Sequence, residues 1–274
     1  MKKQFLALIL LICGCSYGSP GQALFYGAVS APVLITLQNG ETGSGFYLSC
    51  SNHLFLATAR HVLLDANAKP KAPEATLLSI AYVAGAGDVE LRVNLDALQT
   101  NGQIRFHPAH DVAIVRIAKA TPDKRFWFDD ITVKHIQYPK GGPALVGPEM
   151  TKRLADVAVG EDVFVFGYPT SIGLRQSPKF DYSKPLLRRG IVSGIYPKAQ
   201  TIILDSSVYF GNSGGPVMAV SSGKEFKVIG VVSEMIPFVD VWENKQFRYG
   251  TANLSNSGYS VVEPVDFLLD LTWD

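Results

Sequence analysis

Short apolar runs separated by turn residues set the pattern of this chain. Residues 33–37, 44–48, 54–59, 76–83, 89–95 and 111–117 are rich in Val, Ile, Leu and Phe, which predicts six strands. A second set of six follows at 162–167, 187–195, 201–205, 216–220, 227–233 and 257–262. Between the sets, 118–146 has no sustained period and reads as a connection, despite Phe126-Trp127-Phe128 and the turn-like Tyr138-Pro139-Lys140-Gly141-Gly142-Pro143. Residues 264–271 are apolar with a proline at the start, the pattern of a terminal helix. The expected fold class is all-β, and periodicity by itself says no more.

Composition agrees. With 274 residues, 47% hydrophobic and 18% charged, the chain can bury one or two substantial cores. Its 25 glycines and 16 prolines favour turns and strands over a helical bundle. Formal charge is +1, or −1 without Lys2 and Lys3 (23 basic against 24 acidic), which gives no electrostatic footprint for nucleic acid. Met1-Lys2-Lys3-Gln4 and the apolar stretch Phe5 to Ile12 read as an export signal, too short for a membrane span. The expected organisation is a signal segment 1–15, a Ser/Gly/Pro linker 16–23, a first strand unit 24–117, the connection 118–146 and a second unit 147–274.

The candidate chemistry centres on Gly211-Asn212-Ser213-Gly214-Gly215-Pro216. This turn presents one hydroxyl among residues that let backbone approach a substrate. Acyl transfer needs a serine oxygen beside N–H groups aimed at the oxygen that becomes negative, and Gly211 can adopt the positive φ that turns its own N–H, with that of Ser213, toward one point. A serine needs a base and a group to orient that base. His61 ends the apolar run 54–59 closely, and Asp111 opens the run 111–117, where it would lose much of its water. Asp65 and His110 are nearby alternatives that fit the register less well.

Thr58-Ala59-Arg60-His61, Asp111-Val112-Ala113-Ile114-Val115 and Gly211 to Pro216, in the order His, Asp, Ser, resemble the three active-site blocks of trypsin-like (chymotrypsin-fold) serine proteases. The likeness is to the bacterial HtrA/Deg-like branch, through Gly43-Ser44-Gly45-Phe46, Val159-Gly160-Glu161-Asp162-Val163 leading to Gly167-Tyr168-Pro169, Gly190-Ile191-Val192-Ser193 and Asp205-Ser206-Ser207-Val208. It covers roughly residues 24 to 271, with no PDZ-like extension expected after it.

The resemblance implies two six-stranded antiparallel β-barrels with the active site in the cleft between them, and a short C-terminal helix packed on the second barrel. It implies a serine endopeptidase acting on polypeptides, with Ser213 as nucleophile, His61 as general base and Asp111 as its orienting partner. Gly211 and Ser213 would supply the oxyanion N–H groups, and Ser233 matches the serine that helps hold the aspartate. Ser207, where no acid stands, with Ser233 and Met235, would line an apolar pocket. Asn212 replaces the aspartate that digestive relatives use to bind a new N-terminus, so activation by clipping is not expected, and the loop 170–187 is expected to set the oxyanion hole. Ile12-Cys13-Gly14-Cys15-Ser16 resembles a lipobox with Cys15 as the lipidated residue, which implies export to a bacterial periplasm and attachment to the membrane; cleavage nearby with release is the alternative. Only Cys50 would then remain, so no intramolecular disulfide is expected.

Other chemistry finds little support. His53, His61, His107, His110 and His135 form no His-Glu-x-x-His pair, and no P-loop or dinucleotide fingerprint appears, so neither metal nor organic cofactor is expected. The rival class is a binding or chaperone-like module that keeps the barrels while its triad is misaligned or blocked. Oligomeric state is not legible in the sequence.

Overall fold

The computed structural model describes residues 27–121, 125–139, 141–169, 179, 181–220, 225–244 and 246–273. The export segment with Cys15, the linker 16–23 and most of the loop 170–187 lie outside the described residues. Nine strands form the first sheet: β1 (Pro32–Leu37), β2 (Thr42–Cys50), β3 (His53–Thr58), β4 (Glu74–Ile80), β5 (Asp88–Asn94), β6 (Ile104–Phe106), β7 (Ala113–Ala120), β8 (Phe126–Trp127) and β9 (Val133–Gln137). They pair antiparallel in the order β6-β7-β3-β2-β1-β4-β5-β9, with β8 on the end of β7. The second unit closes into a six-stranded barrel of β10 (Asp162–Gly167), β11 (Leu186–Tyr196), β12 (Thr201–Asp205), β13 (Pro216–Val220), β14 (Phe226–Asn244) and β15 (Tyr249–Pro264), in the order β10-β11-β12-β15-β14-β13. Helices are short: α1 (Arg60–Leu63), α2 (Leu95–Thr100) and α3 (Val265–Asp270).

All twelve expected strands are present, and the differences lie where apolar periodicity is weak. The stretch 118–146 is more than a connection, because it contributes β8 and β9 to the first sheet. Only Val133 of β9 is buried, so the strand shows no period; backbone pairing with β5 (Val93↔Val133, Leu91↔His135) holds it. The first sheet therefore has more strands than the six expected, and its path runs from β6 to β9. In the second unit, β14 and β15 extend well past 227–233 and 257–262. Their outer parts pair with each other from Pro237↔Asn256 to Asn244↔Tyr249 as a two-stranded ribbon beyond the barrel, with Phe238, Trp242 and Leu254 exposed.

Strand β3 explains how the two units join. All six of its residues are buried, because both faces meet apolar surface. Leu54 and Leu56 enter the core of the first sheet, while Phe55 and Ala57 enter a second cluster with Phe46, Leu48 and Ile114. That second cluster includes Phe166, Met218 and Val231 from the barrel and Phe267 and Leu268 from α3. The terminal helix thus packs between the units rather than on the second barrel alone. The chain then lays Trp273 against Phe55, 5.4 Å between ring centroids, with Arg105 over the indole at 3.7 Å. Apolar burial on both sides of β3 fixes where its C-terminal end falls, at the seam.

Candidate active site

Strand β3 stops at Thr58, one turn short of the expected histidine, and His61 stands on the single-turn helix α1. Thr58 Oγ1 donates to the Ser44 carbonyl at 2.7 Å and fixes the strand end. Arg60 N–H donates to the Asp111 carbonyl (3.2 Å), His61 N–H to Asp111 Oδ1 (3.0 Å), and His61 Nδ1 lies 2.6 Å from Asp111 Oδ2. An ionised carboxylate only accepts, so Nδ1 carries the hydrogen and Nε2 is left with a lone pair in the neutral ring. The imidazole is 49% exposed and the carboxylate 25%, so the base opens to solvent while its partner is shielded. Burial pushes the Asp111 carboxyl up, but the hydrogen bonds and charge of His61, with Ser233 Oγ, outweigh it and hold the group below the usual aspartate range.

Ser213 stands on a turn stapled to the first sheet. Gly211 has φ +97° and Gly214 φ +81°, and a Cβ on Gly214 would meet Thr58 Oγ1 and the Ser44 carbonyl oxygen. Ser44, fully buried, donates its N–H to the Ser213 carbonyl (2.8 Å) and its hydroxyl to the Gly211 carbonyl (2.6 Å), and accepts the Tyr168 N–H (3.0 Å). Asn212, 1% exposed, accepts the Tyr209 N–H on Oδ1 at 3.0 Å, so its neutral amide braces the turn. Among the described residues the N–H groups of Gly211 and Ser213 make no hydrogen bond. They remain available as a pair of donors.

Ser233 links the parts. The β14–β15 register steps between Val232 and Glu234, leaving Ser233 as the extra residue of a bulge, a device that re-aims a side chain. Its hydroxyl donates to Asp111 Oδ2 at 2.7 Å, and its carbonyl accepts the Ser213 hydroxyl at 3.2 Å. His61, Asp111, Ser213 and Ser233 therefore share one hydrogen-bonded neighbourhood. Among the described residues Ser213 Oγ makes no bond to His61; it is turned to the Ser233 carbonyl. Met235 packs half-buried against the barrel core, and Ser207 is half-buried after β12. An open groove on the barrel wall, bounded by Ser193, Tyr196, Ile203, Ile236 and Tyr259, includes neither of them.

In the sequence Ser44 is legible only as part of a family-like Gly-Ser-Gly, and the bulge at Ser233 has no sequence signal.

Residues 43–231 match the family described as trypsin-like peptidase domain, and the chain belongs to that family. No match was found among curated proteins. Among solved structures, Deg5 is 17% identical over 91% of this chain and 90% of its own, with a TM-score of 0.53. HtrA-type protease AlgW with tripeptide is 16% identical over 92% of this chain and 62% of its own (TM-score 0.51). The serine endoprotease from Yersinia pestis is 16% identical over 93% and 65% (TM-score 0.50). The chain thus spans less than two thirds of the length of the last two, and at these identities the likeness is one of fold.

Proposed function

We propose that this chain is a serine endopeptidase that cleaves polypeptides through His61, Asp111 and Ser213. The observation that carries the reading is the single carboxylate oxygen, Asp111 Oδ2, that receives both His61 Nδ1 and Ser233 Oγ, while Ser233 also touches the Ser213 hydroxyl. Ser213 Oγ attacks the scissile carbonyl carbon as its proton passes to His61 Nε2. The N–H groups of Gly211 and Ser213 hold the resulting oxyanion, and losing one such donor typically costs about 10²–10³ in turnover. His61 returns the proton to the leaving amine, and Asp111 stabilises the imidazolium meanwhile. Water, deprotonated by His61, then attacks the acyl group on Ser213, and proton return to Ser213 frees the acid product.

The neutral Asn212, already bonded to Tyr209 N–H, supports an oxyanion site that needs no clipped N-terminus. Ser207, with no acid in its place, favours apolar over basic side chains in the cleft beside Ser233 and Met235. The N-terminal pattern supports export, with Cys15 lipidated and the domain tethered at a bacterial periplasmic membrane; labelled palmitate incorporated by the natural chain and lost in Cys15→Ser is the expected result.

One observation favours a second reading, a binding module with a blocked triad: the Ser213 hydroxyl rests on the Ser233 carbonyl instead of the imidazole. Unliganded catalytic sites are commonly loose. A fluorophosphonate probe decides. The endopeptidase reading expects labelling of the natural chain and none of Ser213→Ala or a chain pre-treated to block Ser213; an unlabelled natural chain that still binds polypeptide would establish the binding module.

A further inference from the structure

A largely buried hydrogen-bonded pair behind Asp111, His110 with Glu263, ties the first sheet to the second barrel, and the reaction above does not use it. Glu263, the penultimate residue of β15, is 7% exposed. Its Oε2 lies 2.8 Å from His110 Nδ1, and its Oε1 accepts the backbone N–H of Asp111 at 3.4 Å. The His110 ring stacks on Phe267 of α3 with centroids 3.6 Å apart and meets the His107 ring at 4.7 Å. The His107 Nδ1 accepts the N–H groups of Ala109 (3.2 Å) and His110 (3.0 Å), and its ring acts on Glu263 by charge at a distance.

We infer that Glu263 is a positioning residue for Asp111, with His110 as the partner that fixes the buried carboxylate. Asp111 precedes β7, and its carbonyl is held by the Arg60 N–H of the first unit, which leaves its own N–H to be placed. Glu263 places it from the other unit. Its strand partner is Val231, two residues before Ser233, whose hydroxyl holds the Asp111 side chain. Adjacent strands of the second barrel therefore grip the aspartate twice, by its backbone and by its carboxylate. The setting of His61 against Ser213 then depends on the seam between the units. A carboxylate is needed because two donors, the His110 ring and the Asp111 amide, require two acceptor oxygens. A glutamine offers one, with an NH2 group that meets His110 only if the ring moves its proton to Nε2.

The inference rests on the peptidase reading for its kinetic test alone. In Glu263→Gln, kcat on a short peptide is expected to fall about tenfold with KM unchanged, the scale of one charge-assisted hydrogen bond. Added to Asp111→Asn, the same change is expected to have no further effect, because Glu263 acts through the aspartate. Additive losses, or a lower melting temperature with kcat unchanged, would show a merely structural hydrogen-bonded pair and overturn the inference. A readout without turnover is the downfield proton resonance of His61 Nδ1–H in Ser213→Ala, expected to shift or broaden on Glu263→Gln; an unmoved resonance also overturns it. If the natural chain takes no fluorophosphonate, the peptidase reading falls and the resonance alone decides. Should Glu263→Gln not fold, His110→Gln carries the same measurements with the same expected and overturning results.

Discussion

Ser44 Oγ donates to the carbonyl oxygen of Gly211 at 2.6 Å, across 167 positions of sequence. The bond fixes the peptide that leads into Asn212 and Ser213, and both partners are buried. Replacing Ser44 with alanine leaves that carbonyl without its donor and the Tyr168 N–H without its acceptor. Ser44→Ala is expected to lose about 1–3 kcal/mol of stability per orphaned group, read by urea unfolding, and to lower kcat more than it raises KM.

Gly214 faces a harder constraint, because a Cβ there meets two oxygens from the first sheet and the backbone takes φ +81°. Gly214→Ala is expected to cost about 3 kcal/mol from strain and overpacking together. Thermal unfolding would check it; a melting temperature equal to that of the natural chain would contradict the close approach of the two units.

Asp111 gives a pH dependence of known sign. Its folded pKa is depressed, so its contribution to stability is present above the unfolded value, about 3.9, and is lost as the pH falls through the lower folded value. The melting-temperature gap between the natural chain and Asp111→Asn is therefore expected to be full at neutral pH and to close in acid. Calorimetry across that range measures it, and a gap that widens in acid would contradict the depressed value.

Ser233→Ala removes one of the hydrogen bonds that lower the Asp111 pKa while leaving the carbonyl that meets Ser213. The Asp111 pKa is expected to rise, and kcat/KM to fall about tenfold. Peptide hydrolysis and carboxyl chemical shifts would follow both effects.

The ribbon of β14 and β15 contributes little to the core, since Phe238 and Trp242 are more than half exposed. Changing both to threonine is expected to alter barrel stability by less than about 0.5 kcal/mol. Urea unfolding of the double variant is the check.

Local chemistry made much of this protein readable in one dimension. Strand β5 alternates apolar Val89, Leu91 and Val93 with polar Glu90 and Arg92 because one face is buried and the other is not, while β1 and β4 show as compact runs of Val, Ile and Leu between turns. The glycines around Ser213 were legible for a similar reason, since a positive φ and a close approach leave few residue types. Where pairing rather than burial holds a strand, as in β9 and the ribbon, no apolar period marks it: β9 falls in the stretch expected to be a connection, and the ribbon in a stretch for which no element is expected.

Sequence alone determined the all-β class, the twelve main strands and the candidates His61, Asp111 and Ser213, because each rests on residues adjacent along the chain. Tertiary structure alone decided that Ser44 staples the serine turn, that a bulge aims Ser233 at Asp111, that α3 lies in the seam and that Glu263 reaches back to the aspartate. Those relations join residues more than a hundred positions apart, and folding specifies them through complementary shape and paired polar groups, which leave no periodic trace in a linear chain.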